Sequence, residues 1–161
     1  MDTPFTCELV LPSEDATSAF GRCLAPLLIP GDTILLQGPI GAGKTHLARA
    51  IIQERLAASG RFEDVPSPTY TLVQTYSDGA CEFWHADLYR LSDPQELVEL
   101  GLDDAFETGV VLIEWPDRLG GAAPENALLL ELLPENEARR VSLTSNSRHW
   151  SKVLSCCEAA A

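Results

Sequence analysis

The chain has 161 residues, enough for one well-buried domain and too few for two ordinary ones. An apolar share of 45% excludes a disordered chain, and no apolar run approaches the roughly 18 residues a membrane helix needs. The net charge of −13, with Lys44 and Lys152 the two lysines, argues against unaided binding of RNA or DNA, which needs clustered Lys and Arg.

The opening "MDTPFTCELVL" lacks the basic start of a signal peptide, so a cytoplasmic location is expected. "FTCELVL" alternates apolar and polar residues and reads as a strand. "PSEDATSAFGRCLAPLL" reads as a helix, with Ser13 placed to cap it and Glu14 and Asp15 in its first turn. Pro30 and Gly31 break the chain before "DTILLQG", a short apolar strand of the kind buried on both faces of a sheet. "KTHLARAIIQERLAASG" has helical spacing and a glycine stop. "TYTLVQTYS" and "ACEFWHADLY" flank Asp78-Gly79, a hairpin signal. "DPQELVELGLDDAFE" predicts short helices and "GVVLIEW" a second buried strand. "ALLLELL" and "RRVSLTS" predict an antiparallel pair joined by "PENEA", and "SRHWSKVLSCCEAA" a last helix. The whole span 1–161 reads as one α/β domain. Its two apolar strands should lie parallel at the centre, extended by antiparallel hairpins and covered by helices on both faces. The five cysteines have no metal spacing and fit reduced thiols, Cys156 and Cys157 being idle on the last helix.

Between the first apolar strand and its helix lies "GPIGAGKT", which fits G-x-x-x-x-G-K-[ST]. In such a loop glycines let successive backbone N–H groups converge on phosphate oxygens, and the helix adds its positive end. The expected nucleotide site is therefore Gly38, Pro39, Ile40, Gly41, Ala42, Gly43, Lys44 and Thr45. Lys44 is expected to reach the β and γ phosphates and the Thr45 hydroxyl to ligate Mg²⁺. Phosphoryl chemistry also needs a carboxylate at a neighbouring strand end, and "VVLIEW" ends in Glu114. Strand alternation in "EFWHADLYR" puts His85, Asp87 and Tyr89 on one face. Asp87 is a second candidate for a metal-bound or attacking water, whereas His85 alone reads as a satisfied structural histidine. "SPTYT" carries Ser67 and Thr69 around Pro68, a stiffened turn able to sense a γ-phosphate.

Taken together, "GPIGAGKT", "SPTYTLVQTY", "HADLYRLSDPQEL", "LGLDDAF" and "LIEWPDRL" resemble the TsaE (YjeE) family of bacterial P-loop ATPases, in family order over residues 31–118. The resemblance implies ATP binding and hydrolysis in support of TsaB and TsaD. These make the threonylcarbamoyl modification of the adenosine beside the tRNA anticodon, with tRNA met through the complex. It further implies that Lys44 and Thr45 hold phosphate and Mg²⁺, that Thr69 is a switch-like element, and that Asp87 and Glu114 serve catalysis and the metal. Trp115 would lie by the nucleotide, although a core indole accounts for it equally well. Glu14 and Arg139 fall where the family approaches the nucleotide. Two positions depart: the family commonly has Asp at Pro39 and Thr at His46, which bears on rate more than on binding. Two rivals stay open, a small-molecule or nucleotide kinase and a nucleotide sensor that needs no hydrolysis. No Arg-rich lid interrupts residues 46–110, and no clear arginine finger stands in cis, with Arg90 and Arg118 the candidates.

Overall fold

The computed structural model describes residues 4–93 and 95–160. Pro94, within the expected helical run 93–107, and the ends of the expected 1–161 span lie outside the described residues. Seven strands form one sheet: β1 (Phe5–Leu11), β2 (Thr33–Gln37), β3 (Val73–Ser77), β4 (Glu82–Asp87), β5 (Val110–Glu114), β6 (Leu128–Glu135) and β7 (Ala138–Ser145). Their order is β1-β7-β6-β2-β5-β4-β3. β2 runs parallel to β5 and β6, and β5 parallel to β4, so both hairpins join the parallel centre through one strand each. The expected central pair is β2 and β5, and each antiparallel pair (β3–β4, β6–β7) extends the sheet outward.

β5 is buried along its whole length and divides the core. Val110 and Leu112 face α1 (Glu14–Leu24), α2 (Lys44–Ala58) and α5 (Leu154–Ala160), with Phe20, Leu47, Ile51 and Cys157 in the same cluster. Val111 and Ile113 face α3 (Glu96–Glu99) and α4 (Leu102–Thr108) through Leu97, Leu102 and Ala105. This is a doubly covered α/β sheet, and ligands in such sheets sit beyond the carboxyl ends of the parallel strands.

Local chemistry trims several expected elements. The Ser13 hydroxyl accepts from the Ala16 N–H and starts α1 at Glu14, while Pro26 turns its end into a 3₁₀ segment, Ala25–Leu27. β3 begins at Val73 rather than Thr69, because Leu72 takes a left-handed φ of 67° and donates its N–H to the Pro68 carbonyl, closing a turn. The second hairpin turns at Asn136 and Glu137 alone, with Asn136 at φ 60°, so "PENEA" is mostly strand. The last predicted helix opens as a 3₁₀ segment, Arg148–Val153, capped by the Ser147 hydroxyl.

At the amino end of β2, Asp32 is buried and fully partnered. Its carboxylate accepts from the Ile29 N–H (2.9 Å), His149 Nε2 (2.8 Å) and Lys152 Nζ (2.6 Å), fastening the C-terminal segment to the base of the sheet.

Candidate functional site

The loop from Gly38 to Gly43 leaves the carboxyl end of β2 and runs into α2. Gly38 is required by close approach, since a Cβ there would run into the Leu132 carbonyl. Gly43, at φ 104°, is the left-handed residue preceding α2. The loop is closed by the Ala42 N–H donating to the Pro39 carbonyl (3.1 Å). Arg139, from β7, braces it from outside: Nε donates to the Ala42 carbonyl (2.8 Å) and Nη2 approaches that of Gly41 (3.4 Å). The Gly41 and Ala42 carbonyls are thus taken up by Arg139, and the first N–H groups of the 15-residue α2, which have no partner within a helix, begin where the loop meets the cavity.

That cavity, about 470 Å³, lies beyond the carboxyl ends of β2, β4 and β5. The loop from Ile40 to Thr45 forms one wall, and Thr69, Asp87, Glu114 and Trp115 the other, so most expected site residues share one space. Gly38 and Pro39 lie behind the loop. Glu14 and Arg139 line a separate small cleft with Gly41 and Gly43, on the far side of the loop from the carboxylates.

Asp87 and Glu114 are register partners on adjacent parallel strands, which sets two buried carboxylates abreast. Thr45 Oγ1 donates to Glu114, 2.8 Å from Oε1 and 2.9 Å from Oε2. Asp87 accepts the Tyr89 N–H at 3.1 Å. Burial pushes the Asp87 carboxyl above its ordinary range, and the neighbouring Glu114 charge adds to this. Lys44 is also buried, and burial lowers its pKa against the pull of Glu114, Asp87 and Asp117. Its Nζ donates to the carbonyls of Gly38 and Pro39 rather than to either carboxylate. It also rests 3.6 Å above the Trp115 ring. Trp115 adopts a left-handed φ of 60°, which turns its indole from the end of β5 onto the cavity wall against Tyr89 (ring centroids 4.9 Å apart). The indole is half-buried, packed against the second core cluster and also lining the cavity.

The donor set suits Mg²⁺. One hydroxyl and two carboxylates beside a phosphate-type loop are hard oxygen ligands. Among the described residues no three His, Cys, Asp or Glu side chains form a metal cage. Mg²⁺ in nucleotide sites characteristically takes one or two carboxylates and completes its shell from phosphate and water.

Several contacts escape a reading by motif. His46, one of the departures, bonds the Ser18 hydroxyl at 2.7 Å and lies 3.2 Å from the Glu14 carbonyl, joining α2 to α1. The backbone carbonyl of Pro39, the other departure, serves the loop without help from an acidic side chain. Tyr89 lies past the end of β4 and, with Arg90, forms part of the cavity wall. Arg90 stacks on Tyr70 (5.0 Å) and Arg118 on Tyr89 (6.0 Å). Ser67 and Thr69 hydroxyls bond one another at 2.7 Å. His85 is not a fully satisfied histidine: Nε2 meets Glu114 Oε2 at 2.7 Å while Nδ1 has no partner among the described residues. Its membership of the Asp87 face was the only sign of this in the sequence.

Comparison with known proteins agrees with the geometry. The family model "Threonylcarbamoyl adenosine biosynthesis protein TsaE" matches residues 11–142. The tRNA threonylcarbamoyladenosine biosynthesis protein TsaE of Rickettsia felis is 37% identical over 147 residues, covering 90% of this chain and 84% of the relative. That of Haemophilus influenzae is 35% identical over 151 residues, covering 90% and 93%. That of Bacillus subtilis is 35% identical over 141 residues, covering 86% and 85%. The crystal structure of Bacillus subtilis YdiB superposes with a TM-score of 0.74 at 23% identity, over 99% of this chain and 97% of that one, a likeness of fold.

Proposed function

The chain belongs to the TsaE family, and from that premise we propose that it is a Mg²⁺-dependent ATPase serving the threonylcarbamoyladenosine modification of tRNA. It acts in the cytoplasm as an accessory to TsaB and TsaD, and meets tRNA through them. The observation that carries this reading is the convergence of the loop, Lys44, the Thr45–Glu114 pair and Asp87 on one cavity. The backbone N–H groups entering α2 hold the β and γ phosphates. Lys44 has neutral partners in two carbonyls, and exchanging these for anionic phosphate oxygens offsets the cost of burying its charge. Mg²⁺, when bound, offsets phosphate charge. Thr45 and Glu114 are the residues that would hold it, with Asp87 beside them. Asp87, whose raised pKa makes it a better proton acceptor than an exposed carboxylate, orients the attacking water. The Ser67–Thr69 pair faces the same space and senses the γ-phosphate.

Arg139 is taken up by the loop's own carbonyls, and Arg90 and Arg118 are stacked on tyrosines, so each of the three guanidiniums is engaged within the chain. Hydrolysis by the isolated chain is therefore slow and rises when TsaB and TsaD bind. The test is ATP turnover with and without TsaB–TsaD, for the wild type and for Asp87→Ala. The expected outcome is stimulation of the wild type and a rate lower by about 100-fold or more in the variant, with ATP binding kept. A verified complex that leaves the rate unchanged overturns the partner assignment. Asp87→Ala that still supports tRNA modification replaces hydrolysis with nucleotide sensing.

A further inference from the structure

His85 is a buried polar side chain with no task in the chemistry above. It lies on β4 with 0% exposure, flanked on its own face by Phe83 and paired in register with Leu112. Phe83 and Leu112 suit a hydrophobic residue, Gln74 (its register partner on β3) bonds Thr71 instead, and burying an imidazole with an unpartnered Nδ1 costs stability. A purely structural role therefore gives no reason for histidine.

The register supplies one. Asp87 pairs with Glu114, so His85, two positions earlier on the same face, is the diagonal neighbour of Glu114 across the β4–β5 pair. Its Nε2 approaches Oε2 at 2.7 Å. A carboxylate only accepts, so Nε2 carries a proton and donates, while Nδ1 has no partner among the described residues. The Thr45 hydroxyl contacts both Glu114 oxygens from the other side. With Oε2 tied from below, rotation of the carboxylate is blocked, and Oε1 stays beside Thr45 Oγ1.

We propose that His85 is a positioning residue: it grips Glu114 by Oε2 so that Oε1 and the Thr45 hydroxyl are presented together to the Mg²⁺ of a bound nucleotide. This rests on the proposed Mg²⁺–ATP site and adds a residue behind it. Partners behind metal-binding side chains fix ligand orientation, and their removal typically weakens metal binding 10- to 100-fold.

The test is binding of a non-hydrolysable ATP analogue by the full chain, measured by calorimetry in EDTA and over a series of free Mg²⁺ concentrations. Wild type is compared with His85→Leu, His85→Gln and His85→Asn. In His85→Leu the half-saturating Mg²⁺ rises about tenfold or more, while affinity in EDTA stays within about twofold. His85→Gln, whose amide N–H substitutes for Nε2–H, returns to within about threefold of wild type. His85→Asn is too short to reach and behaves as His85→Leu. If the leucine variant does not fold, the two amides decide the matter, since they are alike in polarity and differ in reach. Equal Mg²⁺ dependence in all folded variants, a loss as large in EDTA as in Mg²⁺, or a glutamine variant as weak as asparagine overturns the proposal. A wild type that binds the analogue no better with Mg²⁺ than with EDTA overturns the parent reading and this one with it. A wild type that responds, with variants that respond equally, overturns this one alone.

Discussion

Buried carboxylates stand at both ends of the central strands, and the fold treats them in opposite ways. At the amino end of β2, Asp32 accepts from a backbone N–H, an imidazole and an ammonium, and every contact is short. At the carboxyl end, Asp87 and Glu114 sit abreast while the nearest ammonium, Lys44, bonds loop carbonyls and an indole face instead. The first charge is spent on holding the C-terminal segment to the sheet. In the second set, at the end open to the cavity, Glu114 is met by the Thr45 hydroxyl and His85 Nε2, and Asp87 by one backbone N–H. Neither has an ammonium or guanidinium partner among the described residues, a state that costs stability until a ligand completes it. Similar residues thus serve fastening in one place and binding in the other, and completeness of partnership distinguishes the two.

Three substitutions bear on this contrast. Lys44→Ala has the largest effect: ATP affinity falls by about 100-fold or more, about 2.7 kcal/mol, as read by calorimetry. Retained affinity would mean that the open end does not depend on its cation. Asp32→Asn keeps the acceptor for the Ile29 N–H but discharges the fastening end. It lowers stability by about 2 kcal/mol, a Tm drop of roughly 4–8 °C, with ATP affinity unchanged. An affinity loss without a Tm drop would erase the contrast.

Asp87→Asn has the smallest expected effect and the opposite sign. Burial raises the folded-state pKa of Asp87, so the fold prefers its protonated form. The resulting penalty is absent below the ordinary carboxylate range, grows as pH rises through it, and is complete above the raised value. At pH 7 the asparagine variant therefore melts higher, and the difference vanishes at low pH. Thermal scans across pH decide this, and a variant less stable at pH 7 would show that the carboxylate is not held at a cost.

The open end was far more legible in the sequence than the closed one. β2, α2 and β5 announce themselves because an unbroken apolar run and a spaced glycine loop are local patterns. Glu114 and Asp87 are each visible as acids ending a strand. Their adjacency is not, because it depends on which strands pair and in what register. Asp32 gave no sign at all, since its two side-chain partners lie at positions 149 and 152 and meet it only when the chain end folds back. The same limit hid His85, 29 residues from the carboxylate it touches. The turn at Leu72 was missed because a strand-like alternation continues through residues that a left-handed backbone interrupts.

The pairing of β1 with β7 sets an order in time during synthesis. Residues 5–11 leave the ribosome early, but their partners are residues 139–145, so β1 waits for more than three-quarters of the chain before it has a neighbour. At about 5–20 residues per second, that wait is on the order of ten seconds. Arg139, which braces the phosphate loop, arrives with the same late strand. β1 is therefore placed only when β7 emerges, and the loop's brace comes with that strand.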